Sequence, residues 1–171
     1  AGWLEPLYPW LGPNALADLA PGAELGNAFD GQLWRFPLLA DVGLLYWRTD
    51  LMEAPPRTPA ELIAISHSLQ RDGRVAWGYV WQGRQYEGLS CVFLELLHGF
   101  GGEWLQDKEP QLDSPAALAA ARWMDDLVRT GITPAAVANM GEPETLRVFE
   151  AGDAAFMRNW PYAWAELNKP D

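Results

Sequence analysis

Short runs of apolar, aromatic and β-branched residues alternate along this chain with amphipathic segments that begin with helix-capping residues. The runs have the composition of buried strands and occupy positions 43–48, 75–81 and 154–158. The amphipathic segments begin near Thr58-Pro59 and Ser114-Pro115, where a capping hydroxyl precedes a proline at the first helical position. Strands that alternate with helices favour an α/β fold with a mainly parallel sheet, helices on both faces and ligand-binding residues at the strand ends.

The composition excludes several functional classes. The 171 residues carry 12 Lys and Arg against 23 Asp and Glu, a formal net charge of −11, so most of the surface repels nucleic acid and anionic lipid. No apolar run approaches the roughly 20 residues that a membrane-spanning helix needs. A single cysteine, Cys91, and two histidines provide no grouped ligands, so we expect neither a metal site nor a cofactor.

Tryptophan is unusually frequent, with ten residues spread singly along the chain. Buried tryptophans supply large apolar areas to a core, but a surplus beyond packing needs suggests flat ring faces that a ligand can contact. Trp160 joins a predicted strand to a predicted helix, where a ring can be exposed. We expect Trp164, one turn into that helix, to lie in the core.

The order of several short segments along the chain resembles that of a known protein family. The segments are AGWLEPL at 1–7, DGQLW at 30–34, DVGLLYWR at 41–48, PRTPAEL at 56–62, FEAGDAAF at 149–156 and NWPYAW at 159–164. In this order and at these spacings they resemble the extracytoplasmic sugar-binding proteins of ABC transporters, the maltose- and trehalose-binding-protein-like family 1 solute-binding proteins. The resemblance covers nearly the whole chain.

The resemblance implies a periplasmic-binding-protein-like architecture, in which two α/β lobes close around a ligand. It implies that residues 1–37 are the tail of the first lobe, 38–42 the hinge crossing and 43–171 an incomplete second lobe, so that the chain is an internal fragment. The implied partners are a mono- or disaccharide, such as maltose, trehalose or glucose, and the permease subunits of the transporter. The implied location is extracytoplasmic, either free in the periplasm or lipid-anchored, and no enzymatic activity is expected.

Sugar recognition needs two kinds of side chain. Carboxylates and amides bind the hydroxyl rim of a pyranose, and aromatic rings cover its C–H faces. Asp41 follows the expected hinge between two apolar runs, where a buried charge needs a partner such as a sugar hydroxyl. A solvated loop aspartate is the alternative interpretation of Asp41.

Two strand-to-helix junctions provide the other candidates for the sugar site. The resemblance places an acidic and an aromatic contact in the polar loop after the second predicted strand, carried by Glu87 and Tyr86, with Gln82 as a further candidate. Glu87 is alternatively a first-turn residue that complements the helix dipole. The resemblance also implies a stacking ring in the turn after the last predicted strand, where Trp160 and Tyr162 are the candidates.

Two other hypotheses compete with a competent sugar-binding protein. Asp41 and Glu87 form a carboxylate pair of the kind that a glycoside hydrolase uses, although neither lies in a distinctive hydrolase motif. Alternatively, the chain is a folded lobe without a complete site, which would bind sugar no more tightly than about 1 mM. Exposed cleft surfaces would then favour self-association of the fragment.

Overall fold

The computed structural model describes residues 2–12, 14–19 and 26–169. It divides the chain into two compact units, Ala1–Asp41 and Val42–Asp171, each with its own secondary-structure elements. Among the described residues, every helix is too short or too polar to cross a membrane.

Among its described residues, the first unit contains a β-hairpin and one short helix, α1 (Tyr8–Leu11). β1 (Ala28–Phe29) and β2 (Gln32–Leu33) pair antiparallel. The connecting residues Asp30 and Gly31 have φ values of 52° and 69°, the positive φ at both central positions that a type I′ turn requires. Leu33 is fully buried, and its carbonyl accepts a hydrogen bond from the Leu7 N–H at 2.7 Å.

The second unit alternates strands and helices. In chain order its elements are β3 (Leu44–Trp47), α2 (Pro59–Arg71), β4 (Trp77–Val80), α3 (Glu87–Gly99), β5 (Leu105–Gln106), β6 (Glu109–Pro110), α4 (Pro115–Arg129), a 3₁₀ helix (Ala135–Asn139), α5 (Glu142–Glu150), β7 (Ala154–Asn159) and α6 (Tyr162–Leu167). β5 and β6 form a small separate hairpin. The predicted α/β class is confirmed.

Capping residues fix the starts of α2 and α4. The Thr58 hydroxyl accepts a hydrogen bond from the Glu61 N–H at 3.1 Å, and the Glu61 carboxylate accepts one from the Arg57 N–H at 2.6 Å. The Ser114 hydroxyl accepts from the Ala117 N–H at 3.2 Å. Each bond satisfies a backbone donor that has no partner within the first helical turn. Both predicted helix starts are therefore confirmed.

The central sheet of the second unit has the strand order β3-β7-β4. β4 runs parallel to β7 and β3 runs antiparallel to it, so the sheet combines one parallel and one antiparallel pair. All six residues of β7 are buried. A strand covered on both faces needs this nearly continuous apolar sequence rather than an alternating one.

Helices cover both faces of this sheet. Phe156 of β7 pairs with Tyr79 of β4 and packs in a core with residues of α2, α3 and α4. The next residue, Met157, pairs with Val80 and packs in a second core with α5 and α6. Successive side chains on a strand point to opposite faces, which explains why Phe156 and Met157 belong to different cores. Burying a side chain as large as Phe156 contributes about 1.5–3 kcal/mol.

The parallel pairing of β4 and β7 brings their carboxyl ends to one edge of the sheet, which we call the carboxyl edge. The loop that leads from β4 into α3 and the turn that leads from β7 into α6 both begin there. Ligands of open α/β sheets bind outside this edge because loops and helix N-termini converge on it. The carboxyl edge is therefore where a site in this unit is expected.

Candidate functional site

An aromatic cluster lies at the carboxyl edge and is organised by one carboxylate, Glu142. Glu142 is the first residue of α5 and is partly buried. Its Oε2 accepts a hydrogen bond from the Tyr86 hydroxyl, and its Oε1 accepts one from the Trp160 indole Nε1–H at 2.9 Å. One side chain thus joins the start of α3, the start of α5 and the turn after β7. We call Tyr86, Glu142 and Trp160 the aromatic cluster.

A buried arginine supports the Trp160 ring. The Arg158 guanidinium carbon lies 3.7 Å from the ring centroid, which is cation–π geometry. Arg158 is only 3% exposed and forms an ion pair with Glu95 of α3. Its Nη1 also donates to the Gln82 side-chain oxygen at 3.0 Å. A buried guanidinium needs such partners because it has lost its hydration.

Backbone contacts hold the same turn. The Asn159 side-chain oxygen accepts from the Trp160 backbone N–H at 2.9 Å, and the Tyr46 hydroxyl donates to the Trp160 carbonyl at 2.8 Å. Asn159 is fully buried, and its amide Nδ2 donates to the Glu142 carbonyl at 3.3 Å. The backbone and the side chain of Trp160 are therefore both fixed by hydrogen bonds.

The pKa directions agree with a charged Glu142 at the centre of the cluster. Burial is the largest single influence and raises the pKa of Glu142, but the hydrogen bonds from Tyr86, Trp160 and the backbone, together with the Arg158 charge, give a net pKa that is lowered. Burial and the hydrogen bond to Glu142 raise the pKa of Tyr86, so the proton stays on the phenol. Burial and the Glu142 charge also raise the pKa of Tyr162. The carboxylate form of Glu142 is thus the form that accepts both hydrogen bonds.

Of the six predicted site residues, Tyr86 and Trp160 are brought together in the structure, because both bond the same carboxylate, Glu142. Tyr162 follows in α6, is 42% exposed and interacts with Asn159. Glu87 is exposed in the first turn of α3, and its Oε1 lies 3.4 Å from the Cys91 sulfur. Asp41 is exposed and belongs to the first unit.

Gln82 occupies a different environment from a residue on a cleft surface. It is fully buried, and its Nε2 donates to the Thr145 hydroxyl and to the Arg158 carbonyl, both at 2.9 Å. Its oxygen accepts from Arg158. Because all of these partners are internal, the Gln82 amide holds Arg158 and Thr145 beneath the protein surface.

The sequence analysis missed Glu142, Arg158 and Glu95. Glu142 is the first residue of α5, where an acidic residue is common for the helix dipole alone. Arg158 directly follows the apolar residues 154–157 in the last predicted strand, and its charge was a usable signal, because a charge within a buried strand requires a partner. No local pattern identified Glu95 as that partner.

The expectation that Trp164 lies in the core is wrong. Trp164 is 65% exposed, whereas its neighbour Ala163 is fully buried against the second core. Successive residues of a helix point about 100° apart, so a short helix that buries Ala163 turns Trp164 outward. Within the described ranges, no three His, Cys, Asp or Glu side chains are grouped so that they could hold a metal ion.

The chain is similar to several known proteins. The family model described as bacterial extracellular solute-binding protein matches residues 1–171. A probable ABC transporter-binding protein of Deinococcus radiodurans is 37% identical, over 97% of this chain and 45% of its own length. A maltotriose-binding protein of Pyrococcus abyssi is 23% identical, over 95% of this chain and 34% of its own length.

Solved structures are also similar. Maltose-bound T. maritima MalE3 matches with a TM-score of 0.86 and 39% identity, over 98% of this chain and 44% of the solved chain. The chain therefore spans less than half the length of these three relatives.

Proposed function

Because this chain belongs to the bacterial extracellular solute-binding protein family, we propose that it is part of the substrate-binding component of an ABC transporter and that its ligand is a sugar. The aromatic cluster at the carboxyl edge is the part of the site that this chain contributes. The proposal requires no chemical step, only reversible binding and delivery to permease subunits. The location is extracytoplasmic, as the family description implies.

The observation that carries the proposal is the fixed, partly exposed ring of Trp160. Its indole N–H bonds to Glu142, and Arg158 lies against the ring. A rigid aromatic face offers a ligand an apolar platform without further ordering on binding. The C–H face of a pyranose fits such a platform, while its hydroxyls need polar partners around it.

The relatives support a sugar with glucose units. One relative is a maltotriose-binding protein, and the T. maritima structure is bound to maltose. We propose a mono- or disaccharide of the maltose, trehalose or glucose type. Trp160, Tyr162 and Tyr86 supply ring faces, and Glu87 and Asp41 bind hydroxyls. Gln82 supports Arg158 rather than the ligand, since its amide is bonded internally.

We also propose the two-lobe arrangement for the full-length protein. Residues 1–37 belong to the first lobe, residues 38–42 form a hinge crossing, and residues 43–171 belong to the second lobe. The sugar binds between the two lobes of the full-length protein.

The test is calorimetric titration of the full-length protein, expressed from its whole gene, with maltose, trehalose, glucose and ribose. We expect micromolar binding of at least one glucose-containing sugar and weaker binding of ribose. Binding of none of the four sugars would overturn the proposal. Release of nitrophenol from aryl glycosides, abolished by Glu87→Gln, would instead support a hydrolase.

A further inference from the structure

We propose that Glu142 is a positioning residue that fixes the Trp160 ring for the ligand and does not itself contact the sugar. The inference rests on the proposed function, because it assigns a role within the same sugar site. It departs from the expectation that the acidic residues of the site bind hydroxyls. It also identifies a residue on α5, an element outside the two strand-to-helix junctions that contain the predicted ring contacts.

Both carboxylate oxygens of Glu142 already accept a hydrogen bond from the aromatic cluster. Oε1 accepts from the Trp160 indole, and Oε2 accepts from the Tyr86 hydroxyl. Each oxygen has one further lone-pair site, but the orientation of the carboxylate is already set by the hydrogen bonds from Tyr86 and Trp160. The hydrogen bond to Glu142 uses the only polar atom of the Trp160 side chain, Nε1. Trp160 can therefore offer a ligand its ring and no hydrogen bond.

Glu142 also limits the rotational freedom of the Trp160 ring. A tryptophan at a turn can rotate about two side-chain torsions, and ordering such a side chain on binding lowers affinity. Here two constraints act from different directions, because Glu142 holds the nitrogen edge and Arg158 lies against one face. The other face is then the only one that a ligand can cover. Removing Glu142 leaves the Arg158 contact on one face but frees the nitrogen edge, so the indole regains freedom about its side-chain torsions.

Glu142 connects three separate elements of the second unit. Tyr86 precedes α3, Glu142 begins α5, and Trp160 follows β7. The Arg84 guanidinium lies 4.8 Å from the centroid of the Tyr86 ring, so this second ring is also held from more than one side. One carboxylate therefore sets the relative position of both rings.

The chain provides a matched control in Glu144, two residues further along α5. The Glu144 carboxylate accepts from the Gly141 N–H at 2.9 Å and lies 3.9 Å from Arg84 and 3.7 Å from Arg147. It thus serves the start of the same helix through other partners. Glu144→Ala reports any general effect of removing a carboxylate from the first turn of α5.

The experiment is a double-mutant cycle in the full-length protein with the tightest-binding sugar of the panel. We expect Glu142→Ala to weaken binding about tenfold, and Glu144→Ala to weaken it less than about twofold. In a Trp160→Ala background, Glu142→Ala should weaken binding much less than it does with Trp160 present, because only its action through Tyr86 remains. An equal loss in both backgrounds, or no loss in either, would overturn the inference.

A ligand-free measurement separates this inference from the proposed function. The indole N–H resonance of Trp160, identified by its disappearance in Trp160→Phe, should shift in Glu142→Ala and not in Glu144→Ala. An unshifted resonance in Glu142→Ala overturns the positioning role even if sugars bind. If Glu142→Ala does not fold, Glu142→Gln replaces it, because the amide NH2 takes the place of one of the two oxygens that accept from Tyr86 and Trp160.

Discussion

Arg158 and Trp160 form a stacked pair, with 3.7 Å between the guanidinium carbon and the ring centroid. They are separated by one residue in sequence, and the turn after β7 folds the Trp160 ring back over the Arg158 side chain. Arg158 belongs to the sheet and Trp160 to the surface that we propose for the ligand. The pair therefore connects the most buried cation described in this unit to the proposed binding surface.

Replacing Arg158 should lower the stability of the fold. Arg158→Met keeps most of the aliphatic stem but removes the cation that pairs with Glu95 and Gln82. We expect the free energy of unfolding to fall by about 2–3 kcal/mol, below the usual 3–5 kcal/mol for breaking a buried pair, because the Glu95 side chain is 42% exposed and stays hydrated. Urea denaturation followed by circular dichroism measures the change. Glu95→Gln should cost less, and the reverse order would contradict this account.

The two tryptophans near the end of the chain should respond differently to ligand. Trp160 is fixed in the aromatic cluster, whereas Trp164 is 65% exposed on α6. We expect Trp160→Phe to remove most of the sugar-induced change in intrinsic fluorescence and Trp164→Phe to leave it intact. Fluorescence titration of the full-length protein measures both. Loss of the response in Trp164→Phe alone would show that the ligand contacts α6 and not the cluster.

Glu142 should contribute to stability in a pH-dependent way. Burial raises its pKa. The hydrogen bonds from Tyr86, Trp160 and the backbone and the charge of Arg158 together lower the pKa by more, so that the net pKa lies below the ordinary 4.5. A carboxyl whose pKa is depressed by folding stabilises the protein above its unfolded-state pKa and loses this effect as pH falls through its folded-state pKa.

We therefore expect the difference in unfolding free energy between the natural protein and Glu142→Gln to be constant from about pH 6 to 8. The difference should shrink as the pH is lowered below 4.5. Chemical denaturation at a series of pH values measures it. A difference that grows with acidity would mean that the protonated form of Glu142 is the stabilising one.

Two glycines should differ sharply in their tolerance of a methyl group. A Cβ on Gly78 of β4 would overlap the side chain of Ser66, which is fully buried, and would lie 2.8 Å from a methyl carbon of Ile132. Gly99 ends α3 with open space around its missing Cβ. We expect Gly78→Ala to destabilise by about 1–3 kcal/mol and Gly99→Ala to be neutral or to stabilise by up to about 1 kcal/mol. Thermal denaturation of both variants tests this, and equal effects would contradict it.

Some positions of the predicted site residues follow from the predicted fold, and others depend on tertiary contacts. Tyr86 and Trp160 follow strands, and parallel strands bring such positions to the same edge, so their proximity follows from the predicted fold. Gln82 also follows a strand, but its side-chain oxygen accepts a hydrogen bond from the buried guanidinium of Arg158. Glu87 and Asp41 are exposed, and their roles in sugar binding stay predictions.

The sequence by itself determined the local elements of this protein. Capping residues and apolar runs specify where α2 and α4 begin and which segments are strands, because these signals act between residues a few positions apart. The tertiary structure alone decided that Glu142 bridges Tyr86 and Trp160, which lie 56 and 18 positions from it along the chain. It also decided that Arg158 pairs with Glu95 across 63 positions. Such pairings depend on how the helices pack against the sheet, and no short-range sequence pattern specifies that packing.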